Sequence, residues 1–230
     1  MAERMVGDIA KRGGDNNNRP KFSRTEQSQF DQLLAKADKM IAEQGKLLAP
    51  NGKPSKLNRY QWAQVRTDNF KNWFGDWEND PENASQVIDP ETKEPLVVYH
   101  GSPSSNIHVF DRSKEGNNTG KADDAHGLGG FYFTDKPDYA DIYTRSEEIQ
   151  STILEEKYFG NRLNDRTLPE STIYPVFLDI RKPAIAPEGK TTRAFMKNAE
   201  LNHDGVFSFH DKRYWKEYVA FQATQIKSAI

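Results

Sequence analysis

Three short stretches of the chain carry side chains that could do chemistry. Each is an apolar run with β-branched or aromatic residues, which predicts a buried strand. The first ends in His100, the second contains Tyr132 with Tyr143 eleven residues on, and the third contains Glu217. Imidazole, phenol and carboxylate groups bind and activate polar ligands, and such groups commonly lie at the ends of strands. We expect the three stretches, residues 96–102, 127–135 and 215–221, to meet in one cleft.

Each of these residues also has a plainer explanation. A histidine at a strand end is commonly a hydrogen-bonded structural residue, a strand tyrosine commonly belongs to the core, and Glu217 beside Lys216 fits a solvated edge charge. The glycines at 127–130 match neither a dinucleotide fingerprint nor a Walker loop, so a phosphate cradle is a weak interpretation. The remaining histidines lack metal-ligand spacing, and we predict no metal site from them: His108, His126, His203 and His210.

Composition narrows the class of protein. The chain has 230 residues, 35% hydrophobic and 29% charged, which suits one large domain with a very polar surface. Its formal net charge of -2 gives no global field toward nucleic acid or membrane, and without cysteine it forms no disulfides. It shows no signal-peptide core and no apolar run near the ~20 residues that span a bilayer. We expect a cytoplasmic protein with no membrane contact, and delivery into a host cell is the alternative.

Helical patterns occupy the N-terminal third. Residues 1–24 are predicted to be a flexible tail, with a basic arm on nucleic acid as the alternative. A capping box at Ser23 and Glu26, followed by apolar residues at helical spacing, predicts an amphipathic helix over 25–46. Two short helices follow, the second capped by Thr67. They carry an aromatic cluster that we interpret as a hydrophobic buttress rather than a base-stacking platform: Trp62, Phe70, Trp73, Phe74 and Trp77.

Strand patterns dominate the remainder. A hairpin is predicted over 87–99, a flexible flap over 103–126, and a short helix after residue 134 with Asp135 as its cap. Residues 222–230 are predicted to be a polar turn and tail. Because helices come first and the strands that follow do not alternate with helices, the pattern favours an α+β fold with mostly antiparallel sheets. The other expected elements are strands at 131–134, 173–180, 206–209 and 215–221, and a helix at 191–202.

These motifs resemble ADP-ribosyltransferases of the diphtheria-toxin and poly(ADP-ribose) polymerase branch, whose His, Tyr and Glu lie on three separate strands. His100-Gly101-Ser102 ends a strand as that family's first motif does. Residues 130–135, Gly-Phe-Tyr-Phe-Thr-Asp, are similar to Gly-Ile-Tyr-Phe-Ala-Asp of the second motif. Residues 217–221, Glu-Tyr-Val-Ala-Phe, are similar to Glu-Tyr-Ile-Val-Tyr of the third. Residues 70–77 also resemble a lead-in found beside transferase domains in phage and mobile-element polyvalent proteins.

The resemblance implies a fold and a reaction. The fold would be an ADP-ribosyltransferase-like split antiparallel β-sandwich with N-terminal helices, its catalytic domain spanning residues 58–230. The enzyme would be a phage or effector-type (toxin) protein that uses NAD as co-substrate and needs no metal. It would transfer a single ADP-ribose to a host macromolecule, protein or nucleic acid, and release nicotinamide. Two alternatives stay open: an NAD glycohydrolase, and a non-catalytic module that binds NAD, ADP-ribose or nucleic acid.

The resemblance also assigns roles to residues. Glu217 would hydrogen-bond the 2′-hydroxyl of the nicotinamide ribose and stabilise the oxocarbenium-like charge that develops as the glycosidic bond breaks. His100 would bind a hydroxyl of the adenosine-side ribose. The remaining contacts with NAD would come from the backbone of Gly101, which holds the nicotinamide amide, from stacking by Tyr132 and Tyr143, and from Ser102 on a ribose hydroxyl.

Two departures from the family pattern qualify this expectation. Polymerases carry a serine three residues before the second stacking tyrosine, and this chain has Ala140 there, so one amide contact is missing or replaced. An arginine-specific Glu-x-Glu pair is absent because position 215 is Trp. Modification of arginine is therefore a less favoured reaction.

Overall fold

The computed structural model describes residues 23–104, 107–114, 129–144, 172–186, 192–210 and 215–229. Within these ranges the chain forms five α-helices and a seven-stranded sheet. The predicted tail, up to residue 22, and most of the predicted 103–126 flap lie outside the described residues. In the described part of the chain, no helix is both long and apolar enough to cross a bilayer.

Three helices precede the sheet: α1 (Arg24–Gln44), α2 (Arg59–Gln64) and α3 (Asp68–Phe74). The predicted capping box of α1 is present, since Ser23 Oγ accepts from Glu26 N–H at 3.2 Å and the Glu26 carboxylate accepts from Ser23 N–H at 2.7 Å. The helix ends at Gly45 in the left-handed region, with φ 71°. Thr67 caps α3 through the N–H of Phe70, also as predicted.

Four residues of the aromatic cluster are buried and Trp73 is half-buried against them, which confirms the interpretation of the cluster as a buttress. Phe70 stacks on Phe74 with centroids 5.2 Å apart and meets Phe177 of the sheet edge-on at 5.1 Å. Each of these three side chains has 1% or less of its surface exposed. Burying one such ring stabilises the fold by about 2–3 kcal/mol. We call this core, which also holds Trp62, Val65 and Trp77, the buttress.

Side chains from the helices also bind backbone atoms near the C-terminus. Gln61 Nε2 donates to the carbonyl of Ala229 at 2.9 Å, and Trp73 Nε1 donates to that of Thr224 at 2.9 Å. A buried ion pair between Arg66 and Glu94, 2.7 Å apart, joins the turn between α2 and α3 to the chain segment that leads into the sheet. The N-terminal helices are therefore fixed to one edge of the sheet by polar contacts as well as by aromatic packing.

The strands are β1 (Val98–Ser102), β2 (Phe131–Thr134), β3 (Thr172–Leu178), β4 (Pro183–Ala186), β5 (Gly205–His210), β6 (Trp215–Ala220) and β7 (Ile226–Ser228). Their order in the sheet is β4-β5-β6-β2-β1-β3-β7. All neighbours are antiparallel except β4 and β5. With the helices placed first, this is the α+β architecture that the sequence predicts.

Two strands and one connection differ from the prediction. Residues 222–230 are not only turn and tail, because β7 pairs with β3 through Ser228 and Val176. The segment after residue 182, for which the sequence predicts no strand, contains β4, which pairs in parallel with β5. Helix α5 (Arg193–Asn202) joins these two strands, so the sheet contains one β–α–β unit despite the absence of an alternating pattern.

The sheet has two differently covered faces. Residues opposite each other in a sheet share a face, and successive residues alternate between faces. On the face that we call the front, α5 packs Met196 and Ala199 against Val206 and Val219. The other face, here called the back, carries an apolar core that includes Phe131, Phe133, Val98, Val176 and Tyr218.

Asp135 does not cap the helix that follows it, so that prediction is wrong. Helix α4 (Pro137–Ala140) is preceded by Lys136, and no side-chain hydrogen bond caps it. The Asp135 carboxylate instead accepts from the backbone N–H of Lys216 at 2.9 Å, and Thr134 Oγ1 accepts from Lys136 N–H at 3.2 Å. The Asp135 carboxylate therefore makes a long-range contact with β6 instead of the capping contact that the local pattern predicts.

Candidate active site

The three strands that carry the predicted site residues are adjacent, in the order β6-β2-β1. Glu217 lies opposite Thr134, and Thr134 lies opposite Tyr99, so these residues form one row across the strands. Tyr132 lies opposite Val219, two residues from Glu217 along β6. Paired and i,i+2 residues share a face, so Tyr132, Glu217 and the Gly101 position all belong to the front face.

Strands β1 and β2 separate beyond this row. They share one registered pair, Tyr99 with Thr134, whereas β2 and β6 share four pairs and β1 and β3 share five. Past Tyr99, the His100 side chain bridges to β2, with its Nδ1 2.8 Å from the carbonyl oxygen of Tyr132. The sheet is therefore split at the end of β1, where Gly101 and Ser102 lie.

The surroundings of His100 fix its protonation. A carbonyl oxygen only accepts, so Nδ1 must carry the proton that it donates to Tyr132. Burial lowers the pKa of His100 below its ordinary 6.5, and the bond to the Tyr132 carbonyl only partly opposes this. The ring is therefore a neutral imidazole at neutral pH. Its Nε2 carries a lone pair, and no described residue hydrogen-bonds that atom.

The imidazole lies on the back face, and the structure does not bring it into the row of Glu217. Its ring is 5.1 Å from that of Phe110, 5.6 Å from that of Phe133 and 6.4 Å from that of Tyr174. The first of these belongs to the segment that follows β1, and the other two lie on β2 and β3. His100 on β1 and Glu217 on β6 thus occupy opposite faces of the sheet, with β2 between their strands.

Helix α4 and the following 3₁₀ turn (Asp141–Thr144) lie against Gly101. A Cβ at this position would come within 1.7 Å of the Ala140 carbonyl oxygen and 3.2 Å of Tyr143 Cβ. The missing side chain of Gly101 is thus required by the backbone that packs on it. This packing brings Tyr143 next to Gly101. Its hydroxyl is 2.9 Å from that of Tyr139, with the two rings edge-to-face at 5.4 Å.

Two of the predicted binding residues have structural contacts of their own. Ser102 has 1% of its surface exposed, and its Oγ accepts from the N–H of Ser104 at 3.1 Å. Tyr132 is half-buried and packs against the core beneath α5. The contacts of these residues with NAD remain predictions.

Sequence reasoning missed the residues that flank Glu217. Thr134 lies opposite it on β2 and Ser208 lies opposite it on β5, with 3% and 0% of their surfaces exposed. A buried hydroxyl-bearing residue thus stands beside Glu217 in each neighbouring strand. The only signal in the sequence was Thr134, which occupies the alanine position of the polymerase motif.

Neither a group of metal-ligating residues nor the surface depression along α1 adds to the site. Among the described residues, no three or more His, Asp or Glu side chains are grouped so as to hold a metal ion. A shallow depression on the outer side of α1, between Arg24 and Ala35, is lined by none of the site residues. The strands and α4 therefore supply the candidate groups.

Comparison with known families assigns the class of protein. A family model described as ADP-ribosyltransferase in polyvalent proteins matches residues 91–214, more than half of the 230-residue chain. The chain belongs to this family. The matched segment of this ADP-ribosyltransferase contains His100, Tyr132 and Tyr143 and stops before Glu217. No curated protein matches the chain.

Membership gives the general reaction. ADP-ribosyltransferases take ADP-ribose from NAD, so NAD is the substrate that the candidate site is expected to bind. Assignment to the His-Tyr-Glu branch depends on Glu217, which lies outside the matched segment.

Proposed function

We propose that this enzyme is of the His-Tyr-Glu branch and transfers a single ADP-ribose from NAD to a host macromolecule, protein or nucleic acid, with release of nicotinamide. One observation carries the proposal. Glu217 and Tyr132 share a face of adjacent strands with Gly101, beside the split between β1 and β2. A carboxylate, an aromatic ring and accessible backbone are the groups that a nicotinamide riboside requires.

Glu217 is the proposed electrostatic catalyst. As the bond between C1′ and the nicotinamide nitrogen breaks, its electron pair leaves with nicotinamide and the ribose becomes positively charged. A carboxylate that accepts a hydrogen bond from the ribose 2′-hydroxyl stabilises this charge more in the transition state than in bound NAD. The pairing of β6 with both β2 and β5 holds Glu217 in the interior of the sheet.

The nicotinamide end is assigned to the front face beside β1. The backbone of Gly101 would bind the amide, and the rings of Tyr132 and Tyr143 would stack on the base. Packing of the 3₁₀ turn on Gly101 supports this assignment, because it puts Tyr143 beside the β1 backbone. Each stacking contact contributes about 1 kcal/mol beyond the area it buries.

His100 is proposed to bind the adenosine-side ribose through Nε2. With its proton fixed on Nδ1, the imidazole can accept a hydrogen bond from a ribose hydroxyl but cannot donate one from Nε2. Since His100 lies on the back face, the dinucleotide would have to cross the split to reach both it and Glu217. NAD is long enough to place its two riboses on either side of one strand.

The acceptor completes the reaction. Its nucleophilic atom forms a bond to C1′ and loses a proton, so that ADP-ribose is transferred and nicotinamide is released. If water takes the acceptor's place, the products are free ADP-ribose and nicotinamide, and the enzyme is an NAD glycohydrolase.

The test uses NAD labelled in its adenosine half, incubated with the protein and a cell lysate. Wild-type protein should release nicotinamide and put label on macromolecules, and digestion with protease or nuclease identifies the acceptor class. Mass spectrometry should find increments of one ADP-ribose per site. Glu217→Gln should lower kcat by about 100- to 1000-fold, because one charge-stabilising group is removed at the reacting centre.

Glu82→Gln is the matched control, since it makes the same chemical change at an exposed 3₁₀ turn, Pro81–Asn83. Label found only in free ADP-ribose would show that the enzyme hydrolyses NAD and does not transfer ADP-ribose to a macromolecule. Turnover that survives Glu217→Gln would remove Glu217 from the mechanism. NAD binding without turnover in the wild type would make the protein a binding module.

A further inference from the structure

We propose that Asp135 is a positioning residue that holds Glu217 in its reactive orientation by fixing the start of β6. Its carboxylate accepts a hydrogen bond from the N–H of Lys216, the residue before Glu217, at 2.9 Å. Its own N–H points back toward the Lys216 carbonyl oxygen at 3.4 Å. This inference rests on the proposed role of Glu217. It gives a role to Asp135, which has none in the proposed function.

The two contacts replace a rung of the sheet. In a regular antiparallel pair, the two residues exchange both of their backbone N–H···O bonds. The registered pairs of β2 and β6 run from Phe131 with Ala220 to Thr134 with Glu217. At the next position, the Asp135 side chain takes the place of its own carbonyl as the acceptor for Lys216. β2 can therefore leave the sheet toward α4 while β6 stays bound.

This rung decides where Glu217 stands in the ladder. Without it, Thr134 with Glu217 would be the last pair between β2 and β6, and terminal pairs of a ladder fray most readily. With it, the β2 side of β6 is bonded on both sides of Glu217, at Lys216 and at Tyr218, in addition to the pairing of β6 with β5. A hydrogen bond to a carboxylate is stronger than one to a neutral carbonyl, which suits a rung whose return bond from the Asp135 N–H is long, at 3.4 Å.

A positional role predicts a particular kinetic pattern. Glu217 is proposed to act on the transition state, so a loosened β6 should lower kcat while leaving the binding of NAD nearly unchanged. Misplacing a reacting group by about 1 Å costs roughly 100-fold in rate. We expect Asp135→Ala to lower kcat for NAD consumption by about 10- to 100-fold, with KM for NAD within about twofold of wild type.

The conservative variant separates positioning from charge. Asn retains an acceptor oxygen at the same distance from the backbone, so Asp135→Asn should keep kcat within about threefold of wild type. Lys136→Ala, a truncation at the exposed neighbouring residue, is the matched control and should leave both constants unchanged. Amide hydrogen exchange gives a readout independent of activity, since the Lys216 amide should be protected in wild type and Asp135→Asn and exposed in Asp135→Ala.

The outcomes distinguish this proposal from the proposed function. Wild-type protein that consumes no NAD overturns the function, and positioning then stands or falls on protection of the Lys216 amide. Equal kcat for Asp135→Ala and wild type overturns positioning alone. Equal losses in Asp135→Asn and Asp135→Ala overturn the acceptor role. If Asp135→Ala does not fold, free exchange of the Lys216 amide in native wild-type protein is the result that contradicts the proposal.

Discussion

The buttress and the split between β1 and β2 lie near each other in the sheet but are held together in different ways. In the buttress, Phe70 contacts Phe74 and Phe177, and separate polar contacts tie α2 and α3 to the C-terminal residues. At the split, one registered pair joins β1 to β2, and beyond it the His100 side chain bonds the carbonyl oxygen of Tyr132.

This difference separates stability from reactivity. Redundant contacts make a region rigid against the loss of any one of them, whereas a region that depends on single bonds can open locally at low cost. In the proposed function NAD enters the split, which requires that the strands there are not fully bonded to each other. We expect the buttress to contribute more to the free energy of unfolding than the split between β1 and β2 does.

The largest effect should come from the buttress. Phe70→Ala removes a ring with 1% exposure and should lower the free energy of unfolding by about 3–5 kcal/mol, measured by urea denaturation. The kcat of the folded fraction should stay near wild type. Tyr60→Ala, at an aromatic residue that is 53% exposed, should change stability by no more than about 0.5 kcal/mol. A loss of kcat larger than the loss of folded protein would show that the buttress also affects the reactivity of the site.

The buried ion pair should rank next. Glu94 has 1% of its side chain exposed and Arg66 has 8%, so Glu94→Gln leaves a buried guanidinium without its nearest carboxylate. We expect a loss of about 3 kcal/mol in thermal unfolding. Glu43→Gln, which breaks an exposed pair with Lys39, should cost less than about 0.5 kcal/mol. Equal costs for the two variants would contradict the burial argument.

Gly101→Ala should affect both regions. The new Cβ would overlap the Ala140 carbonyl oxygen, so α4 or β1 must move, at a cost of about 1–3 kcal/mol in denaturant unfolding. Because the 3₁₀ turn moves with α4, KM for NAD should rise as well. Gly52→Ala is the comparison: no atom lies within 4 Å of its Cβ, and only its positive φ of 80° is strained. An unchanged KM for NAD in Gly101→Ala would show that this turn does not contribute to NAD binding.

The smallest effect is the pH response of His100. Burial keeps its pKa in the folded protein below 6.5, so the unfolded chain takes up this proton first as the pH falls. The stabilisation is complete above about pH 6.5 and is lost progressively below it, down to the folded pKa. His100→Asn keeps a donor for Tyr132 without titrating, so it should flatten the slope of stability between pH 7 and 5. An unchanged slope, or ¹⁵N shifts that show Nδ1 without a proton, would contradict this account.

Local signals in the sequence predicted the helical part of the fold. The caps of α1 and α3 lie within three residues of the backbone groups that they bind, so Ser23, Glu26 and Thr67 could be recognised from the sequence. The spacing of the aromatic residues similarly predicted a buried helix face. The sequence could not show that this face packs on Phe177, more than 100 residues away.

The features that were not predicted from the sequence all depend on residues far away in the chain. Asp135 had the local pattern of a cap, but a backbone N–H of β6, 81 positions along the chain, bonds its carboxylate instead. Strand β7 has three residues, two of them polar, and exists because β3 pairs with it. Strand β4 begins at Pro183 and has four residues, too few to show a period.

The candidate site was predictable as a set of strands but not as a geometry. Motif spacing placed His100, Tyr132 and Glu217 on separate strands, and the structure makes those strands neighbours. Which face each side chain occupies depends on register, and a shift by one residue reverses it. The sequence therefore could not reveal that His100 and Glu217 lie on opposite faces.

The position of β6 has a practical consequence for anyone who expresses this enzyme. The segment recognised by similarity ends at residue 214, one position before β6, yet β6 lies between β5 and β2. A fragment trimmed to those boundaries would lack an inner strand and would leave β4 and β5 with no partner to connect them to the rest. It would also lose β7 and every aromatic residue of α2 and α3. The stretch that reveals ancestry is thus shorter than the stretch needed to fold.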